Sequence, residues 1–97
     1  PERILSTVAG HYNLTEEQLT GRSRTRAVSV PRQLCMYLIR EETKASFPQI
    51  GQILGGRDHT TILHGCDKIS NLIEADEQLR RDWLAIKGVL SGNAAAM

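Results

Sequence analysis

The sequence has few aromatic residues, and this shortage narrows the choice of fold. Aromatic side chains make up 4% of the 97 residues, although hydrophobic residues make up 40%. The core must therefore consist of Leu, Ile, Val and Ala, which favours packed helices over a sandwich of aromatic-rich strands. A chain of this length forms one compact domain and buries roughly 60 to 70% of the surface that its unfolded form exposes. We expect an all-α protein with one domain over residues 1–97.

Cysteines and long apolar runs are also scarce. Cys35 and Cys66 lie 31 positions apart, and the sequence contains no CxxC pair. Both lie in apolar runs, where cysteine acts as a small buried hydrophobe, so we expect two reduced thiols in a cytoplasmic protein. No signal peptide and no apolar run long enough to cross a bilayer are present, and nothing in the sequence predicts membrane contact.

Motifs for catalysis and metal binding are missing as well. The sequence has no GxxxxGK[ST] segment to hold nucleotide phosphates, and no Ser-His-Asp order or pair of buried carboxylates can be placed. His59 and His64 are five positions apart. On a helix this spacing separates them by about 140°, whereas an i, i+4 metal pair requires ~40°. We therefore expect no enzymatic activity, no metal site and no cofactor in this chain.

Charge is unevenly distributed along the chain, although the net charge is only +1. Residues 20–68 carry eight basic and four acidic side chains, whereas the rest of the chain carries four basic and seven acidic ones. Such asymmetry is typical of a polyanion-binding face on a nearly neutral body. Taken alone, it also fits a chance distribution of surface charge.

Hydrophobic spacing and capping signals predict about six helices. The first covers residues 2–11, and a capping box of Thr15 and Gln18 opens a short second helix. A polar basic loop follows near 20–26, and a long buried helix runs from Val30 with a proline in its first turn. A final helix follows the N-cap candidate at position 76, and the last residues, 91–97, have the composition of a frayed tail.

A short helix, a glycine-containing turn and an amphipathic second helix together predict a helix-turn-helix. Ser46 and Gln49 form a capping box that opens the short helix near 47–54, and two glycines end it. Asp58 is a preferred N-cap residue for the second helix, near 58–74. In such a motif the N-terminal end of the second helix enters the major groove of DNA. The first residues of this helix would then meet base edges.

Three side chains at that predicted helix start are suited to reading bases. The Asp58 carboxylate can accept a hydrogen bond from cytosine N4, the His59 imidazole can donate or accept, and the Thr60 methyl can pack on thymine. Thr61 and Lys68 flank this face and suit phosphates, which the helix N-terminus also attracts. Plainer interpretations stay open, with Asp58 as an N-cap only and the threonines as exposed first-turn residues.

Basic side chains before the helix-turn-helix form a second element. The arginines of the basic loop are Arg22, Arg24 and Arg26. Because they alternate with small polar residues, they can form an arm that enters a narrow A·T-rich minor groove, or they are a solvated charge run. The polar positions along the following long helix are Arg32, Gln33 and Arg40. These three side chains either contact a row of DNA phosphates or are simply on the solvent-exposed face of that helix.

At these residues the chain resembles a known family. "GRDHTTILHGCDKI" closely resembles the signature of the C-terminal DNA-binding domain (domain IV) of the bacterial DnaA family of chromosomal replication initiators. "SRTRAVSVPRQLCMYLIREET" and "FPQIGQILGGRDHTT" match that domain in order and spacing, and the likeness covers residues 2–90. The resemblance implies sequence-specific binding of double-stranded DNA at the DnaA box, an A·T-rich site at replication origins, by one domain per site. It also implies a cytoplasmic, nucleoid-associated protein.

Individual roles follow from the resemblance. It implies base contacts by Arg24 in the minor groove, by Asp58, His59 and Thr60 in the major groove, and by Phe47 and Pro48 on thymine methyls. It implies phosphate contacts at or near Arg32, Gln33, Arg40, Thr61, His64 and Lys68, and the basic loop adds Arg22 and Arg26. Two positions depart from the family pattern. Asp67 stands where a basic residue is common, which puts one backbone contact in doubt, and Phe47 stands where leucine is frequent.

The resemblance also implies a larger protein. We expect this domain to be excised from the C-terminal end of a chain that carries its ATPase domain upstream, so that ATP binding belongs to that upstream part. The same surface stays open to regulatory proteins. Two other hypotheses remain: a helix-turn-helix transcription regulator that binds another operator, and a helical protein-interaction module without a role on DNA.

Overall fold

The computed structural model describes residues 2–92, which form six helices joined by short segments. The helices are α1 (Glu2–Tyr12), α2 (Glu16–Thr20), α3 (Arg26–Glu42), α4 (Phe47–Ile53), α5 (His59–Ala75) and α6 (Glu77–Ser91). The long helices α3 and α5 pack against each other, and α1 and α2 pack on α3. Helix α4 packs mainly on α5, and α6 closes the bundle against α1 and α5. No strand occurs in the part that the structure describes, and the prediction of an all-α fold is confirmed.

The core is aliphatic, as the composition predicts. Leu34, Leu38, Ile39, Ile62 and Ile69 are completely buried at the contact of α3 with α5 and around it. Both cysteines are free and buried among these side chains. Burial raises the pKa of the thiol at position 35 to about 12 and that of the thiol at position 66 to about 11. Both thiols are therefore protonated at neutral pH and act as small apolar side chains.

The predicted helix caps are present. Gln49 donates its backbone N–H to Ser46 Oγ at 3.3 Å, and Ser46 donates its own N–H to Gln49 Oε1 at 2.7 Å. Thr15 and Gln18 form the same reciprocal pair at the start of α2. The Asp76 side chain accepts the N–H of Leu79 at the start of α6. These local signals place the helix starts because each cap satisfies N–H groups that the first turn leaves unpaired.

The start of α3 departs from the prediction. The sequence indicates a loop through position 26 and a helix from Val30, but α3 begins at Arg26 and encloses Pro31. Thr25 is the N-cap, and its carbonyl accepts the N–H of Ser29 at 2.8 Å. Pro31 lies one turn deeper than a first-turn proline and removes one helical hydrogen bond. Its ring is buried, and burial of this apolar surface offsets part of that loss.

The C-terminal end of the described part is a regular helix end. Ser91 is the last residue of α6, and Gly92 ends the helix in the left-handed conformation with φ 80°. Of the predicted frayed tail, residues 93–97 lie outside the described residues.

Two kinds of feature are absent from residues 2–92. No helix there combines the length and the apolar character that a bilayer crossing requires. Within the same residues, no three His, Cys, Asp or Glu side chains lie close enough together to hold a metal ion.

Candidate nucleic-acid interface

The turn between α4 and α5 has the geometry of a helix-turn-helix. Gly55 and Gly56 both have left-handed backbone conformations, with φ of 84° and 78°. The carbonyl of Gly51 in α4 accepts the N–H groups of Gly56 and Arg57, both at 2.9 Å. A Cβ atom on Gly51 would lie 2.0 Å from the carbonyl oxygen of Arg57. The turn therefore closes tightly on α4 and requires glycine at each of these places.

Asp58 organises the first turn of α5. Its Oδ2 accepts the backbone N–H of Thr60 at 3.0 Å, as expected for an N-cap. Hydrogen bonds from Thr60 hold the pKa of the Asp58 carboxyl below its usual range. The ring of His59 lies beside it, with Nδ1 3.6 Å from Asp58 Oδ1, and the two side chains are 62% and 66% exposed. A charged acceptor, an imidazole and a threonine thus face solvent where α5 begins.

Helix α5 has one buried face and one polar face, as the spacing predicts. Its apolar positions Ile62, Cys66, Ile69 and Ile73 are buried. The opposite positions Thr60, His64, Asp67 and Asn71 are exposed. Thr61 and Lys68 are exposed as well, and their spacing puts them on the same flank of the helix. Within residues 2–92, the polar face is therefore exposed to solvent along the helix.

The basic loop and the start of α5 share one cleft. We call it the basic cleft; its lining residues are Arg22, Arg24, Arg32, Gly56, Arg57, Asp58 and Thr61. Four of these carry guanidinium groups, and the turn of the helix-turn-helix forms one wall. The two elements that the sequence indicates separately are thus neighbours. A concentration of positive charge between walls of low dielectric constant focuses an attractive field for anions.

Arg32 corrects an expectation of the sequence analysis. The prediction placed Arg32 on an exposed track along α3, but its side chain is buried and only 5% exposed. Its Nε donates to the carbonyl of Leu19 at 2.7 Å, and its Nη1 donates to the carbonyl of Ser23 at 2.7 Å. Its Nη2 donates to the carbonyl of Gln18 at 3.0 Å. Arg32 therefore stabilises the protein itself, and its phosphate contact stays a prediction.

Arg26 also departs from its expected surroundings. As the first residue of α3, it lines a different depression together with Tyr12, Asp76 and Asp82. Arg22 and Arg24 remain in the loop and line the basic cleft. The three arginines therefore do not form one arm, because the last of them is already the first residue of the helix.

Helix α4 begins at Phe47, which stands where leucine is frequent in the family. Phe47 is half-buried, and the Arg40 guanidinium carbon lies 4.3 Å from its ring centroid. Arg40 also donates to the carbonyl of Ala45 at 2.9 Å, which ties the end of α3 to the segment before α4. Pro48 is exposed beside the ring. Stacking of this kind holds the Phe47 ring in place and keeps a positive charge next to it.

Gln33 lies between α3 and α5. Its Cγ is 3.6 Å from the position that a Cβ atom on Gly65 would take, so the glycine allows the two helices to approach closely. The Oε1 atom of Gln33 is buried and has no hydrogen-bond partner among the residues that the structure describes. Its predicted phosphate contact stays a prediction.

Arg57 lines the basic cleft, although the sequence predicts no role for it at the site. Its half-buried side chain donates to the carbonyl of Thr20 at 3.2 Å, and also to the carbonyls of Gly21 and Leu54. Burial lowers the pKa of Arg57, and the neighbouring positive charges of Arg32 and Arg22 act in the same direction. A signal for this role was present in the sequence, because Arg57 follows two glycines and precedes an N-cap residue. A side chain in such a turn can reach inward to helix carbonyls that lack intrahelical partners.

Comparison with known proteins agrees with this geometry. Residues 1–69 match the family described as "Bacterial dnaA protein helix-turn-helix". The chain is 52% identical over 86 residues to the chromosomal replication initiator protein DnaA of Chloroflexus aurantiacus, which covers 89% of this chain and 18% of that protein. The protein of the same name from Thermomicrobium roseum is 48% identical over 96 residues, covering 99% of this chain and 21% of the relative.

A third relative has the same name. The chromosomal replication initiator protein DnaA of Thermus thermophilus is 50% identical over 80 residues, which is 82% of this chain and 18% of that protein. The chain spans about a fifth of the length of these relatives. The family match covers well over half of the chain and includes α4, the turn and the first half of α5. The chain therefore belongs to the bacterial DnaA helix-turn-helix family.

Proposed function

We propose that this chain binds double-stranded DNA sequence-specifically at DnaA boxes of the replication origin, for the initiation of chromosome replication. One observation carries the proposal: Arg24 of the basic loop and the N-terminal end of α5 line the same cleft. A recognition helix in the major groove and an arginine beside it fit two adjacent grooves of one duplex. The family and the names of the relatives supply the link to replication initiation.

Base reading in the major groove falls to the exposed residues at the start of α5. Asp58 accepts from cytosine N4, His59 contacts an adjacent base edge, and Thr60 packs its methyl on thymine. Asp58 is both an N-cap and a base reader, since a carboxylate offers more acceptor positions than the one used by Thr60. Phe47 and Pro48 add apolar contacts to thymine methyls from the start of α4.

Minor-groove reading falls to Arg24. It is exposed, lies in the loop before α3 and lines the basic cleft. Narrow A·T-rich minor grooves carry enhanced negative potential that attracts arginine. Because the DnaA box is A·T-rich, the reading of groove shape by Arg24 adds to the reading of base edges by α5.

Phosphate contacts surround these readers. The exposed side chains in this role are Arg22, Arg40, Thr61, His64 and Lys68. Gln33 contributes its side-chain amide from the partly buried face of α3. Arg32 supports these contacts from within the protein, because backbone carbonyls occupy its guanidinium group. Arg26 contacts phosphate only if the duplex extends past the start of α3. Such contacts set affinity and orientation but carry no base information directly.

Several properties of the whole protein are part of the same proposal. One domain occupies one box as a monomer, in the cytoplasm and at the nucleoid. We assign this chain a binding role without a catalytic step, and ATP-dependent assembly to the upstream part of the larger protein. Regulatory proteins act on the same surface as DNA.

A fluorescence-anisotropy titration at several salt concentrations tests this proposal. The chain is expected to bind a DnaA-box duplex more tightly than a scrambled duplex of equal composition, with affinity that falls as salt rises. Preference for another operator over the box would favour a transcription regulator. An absence of DNA binding even at low salt would favour a protein-interaction module.

Replacing Lys68 with alanine is expected to weaken binding to the box and to random DNA by similar factors. Lys68 is exposed on the flank of α5 and would meet a phosphate, which is the same in every sequence. The slope of log K against log salt should become flatter by about one unit. Measuring that slope for both duplexes checks the assignment, and an unchanged slope would remove Lys68 from the phosphate contacts.

Replacing Thr60 with alanine is expected to relax discrimination at one thymine of the box. The change removes the methyl group that packs on thymine but keeps the backbone N–H that Asp58 caps. Binding to a series of boxes with single base changes should show a loss of about 1 kcal/mol of selectivity at one position, the usual contribution of one buried methyl group. Serine at position 60 is the matched control for the hydroxyl, and full selectivity in the alanine variant would contradict the assignment.

Replacing Asp67 with asparagine is expected to strengthen binding to box and random DNA alike. Asp67 is exposed on the polar face of α5 next to Lys68, where its negative charge repels phosphates. The gain should be largest at low salt and fade as salt screens the charge. Equal affinities of the variant and the parent chain at low salt would place Asp67 away from the duplex.

A further inference from the structure

The last carbonyl groups of α2 have an unusual set of partners. A helix leaves its final carbonyls without intrahelical N–H donors, and the negative end of its dipole attracts cations. Here two guanidinium groups donate hydrogen bonds to them. Arg32 donates to the carbonyls of Gln18 and Leu19, and Arg57 donates to those of Thr20 and Gly21.

Each arginine also holds a second segment. Arg32 donates to the carbonyl of Ser23 at 2.7 Å, inside the basic loop. Arg57 donates to the carbonyl of Leu54, which is the C-cap of α4. The side chain of Arg57 therefore joins the beginning of the basic loop to the end of the first helix of the helix-turn-helix.

The backbone shows the same close contact independently of these side chains. A Cβ atom on Gly55 would lie 2.3 Å from the carbonyl oxygen of Thr20. Gly55 has φ 84°, a conformation that glycine adopts without strain. The turn of the helix-turn-helix thus lies directly on the end of α2, where the basic loop begins.

We propose that Arg57 is a positioning residue that fixes the loop carrying Arg24 at a set distance from the N-terminal end of α5. The inference rests on the proposed function, because the distance matters when one duplex presents its minor and major grooves to both elements. A loop held in place before binding loses less conformational freedom on the DNA than a free one. Arg57 thereby contributes to box specificity without itself reading a base.

The guanidinium group is essential to this role. It offers five N–H donors in a planar fork, whereas lysine offers one flexible ammonium group. Lysine at position 57 keeps the positive charge but cannot reach all three carbonyls in the observed directions. Arg57→Lys therefore removes the hydrogen bonds that position the basic loop but keeps the positive charge at position 57. Arg81→Lys is the matched control, because Arg81 is exposed on α6 and, among residues 2–92, pairs only with Glu77.

The first test uses the free protein. ¹⁵N relaxation should show heteronuclear NOE values for the amides of residues 22–25 that fall in Arg57→Lys, while those of α3 and α5 stay at parent values. Arg81→Lys should leave the loop unchanged. Unchanged NOE values in the loop of Arg57→Lys would overturn the inference.

The second test uses a double-mutant cycle on DNA with Arg24→Ala and Arg57→Lys. We expect Arg57→Lys to weaken box binding roughly tenfold and to change random-DNA binding and its salt slope little. The double variant should bind the box no more weakly than Arg24→Ala alone, because both changes remove the same contact. Additive losses would mean that Arg57 acts independently of Arg24. Equal losses on both duplexes with a flatter slope would mean that Arg57 contacts phosphate. Either result would overturn the inference.

The two tests separate failure of the inference from failure of the proposed function. If the parent chain does not favour the box over a scrambled duplex, the proposed function is wrong. The NOE comparison then decides by itself whether Arg57 fixes the loop. If the parent chain favours the box but Arg57→Lys retains that full preference, the inference alone is overturned.

Discussion

Replacing Arg24 with alanine is expected to weaken binding to a DnaA box by roughly 1 to 3 kcal/mol and to weaken binding to random DNA much less. Arg24 is exposed in the loop and lines the cleft where α5 begins. The charge of Arg24 is attracted more strongly to a narrow A·T-rich minor groove, where the negative potential is enhanced, than to a random duplex, whose groove is wider on average. Titration of the variant against box and scrambled duplexes at one salt concentration measures both losses.

A matched control for Arg24→Ala is Arg81→Ala, which removes one positive charge from the exposed surface of α6. Its effect on both duplexes should be small, because the charge lies outside the basic cleft. Equal losses for the two duplexes in Arg24→Ala would assign Arg24 to phosphate rather than to the minor groove.

Replacing Gly51 with alanine is expected to lower the free energy of unfolding by about 3 kcal/mol. The new Cβ would lie 2.0 Å from the carbonyl oxygen of Arg57, which is a backbone atom fixed by the turn. Relief of this clash requires a shift of the turn itself, with loss of hydrogen bonds to the Gly51 carbonyl. Urea unfolding followed by circular dichroism at 222 nm, the usual helix signal, gives the change in midpoint and slope.

Gly10 supplies a control of opposite sign for Gly51→Ala. It lies in α1 and is exposed, and apart from its chain neighbours and its own helix backbone no atom of residues 2–92 lies within 4 Å of its Cβ position. Alanine there should raise the free energy of unfolding by about 0.5 to 1 kcal/mol, because it restricts the unfolded chain and favours the helix. A Gly51→Ala variant as stable as Gly10→Ala would contradict the tight turn.

The sequence predicts those parts of the fold that depend on local signals. The two faces of α5 follow from the spacing of Ile62, Cys66 and Ile69, because a helix places every third or fourth residue on one side. The starts of α2 and α4 follow from capping boxes, since donor and acceptor are three residues apart. The predicted start of α3 was wrong, because a proline inside a helix is tolerated when tertiary packing outweighs one lost hydrogen bond.

The arrangement of the site depended on tertiary contacts that no local pattern encodes. Arg32 and Arg57 look like ordinary surface arginines in the sequence, but each reaches backbone carbonyls of α2 more than twelve residues away. Likewise, Arg40 lies over the ring of Phe47 only because α3 and α4 pack side by side. Spacing and resemblance identified the residues that we propose to face DNA, whereas the residues that hold them in position required the structure.

The central claim is that one box is read in two grooves at once, by Arg24 in the minor groove and by the start of α5 in the major groove. The most direct measurement is binding to boxes with single base analogues that alter one groove only. 2,6-Diaminopurine for adenine adds a minor-groove amino group, and 7-deazaadenine removes the major-groove N7 acceptor. We predict two separate sets of sensitive positions within one box, with Arg24→Ala abolishing the sensitivity to diaminopurine alone. Sensitivity confined to one groove, or unaffected by Arg24→Ala, would contradict the account.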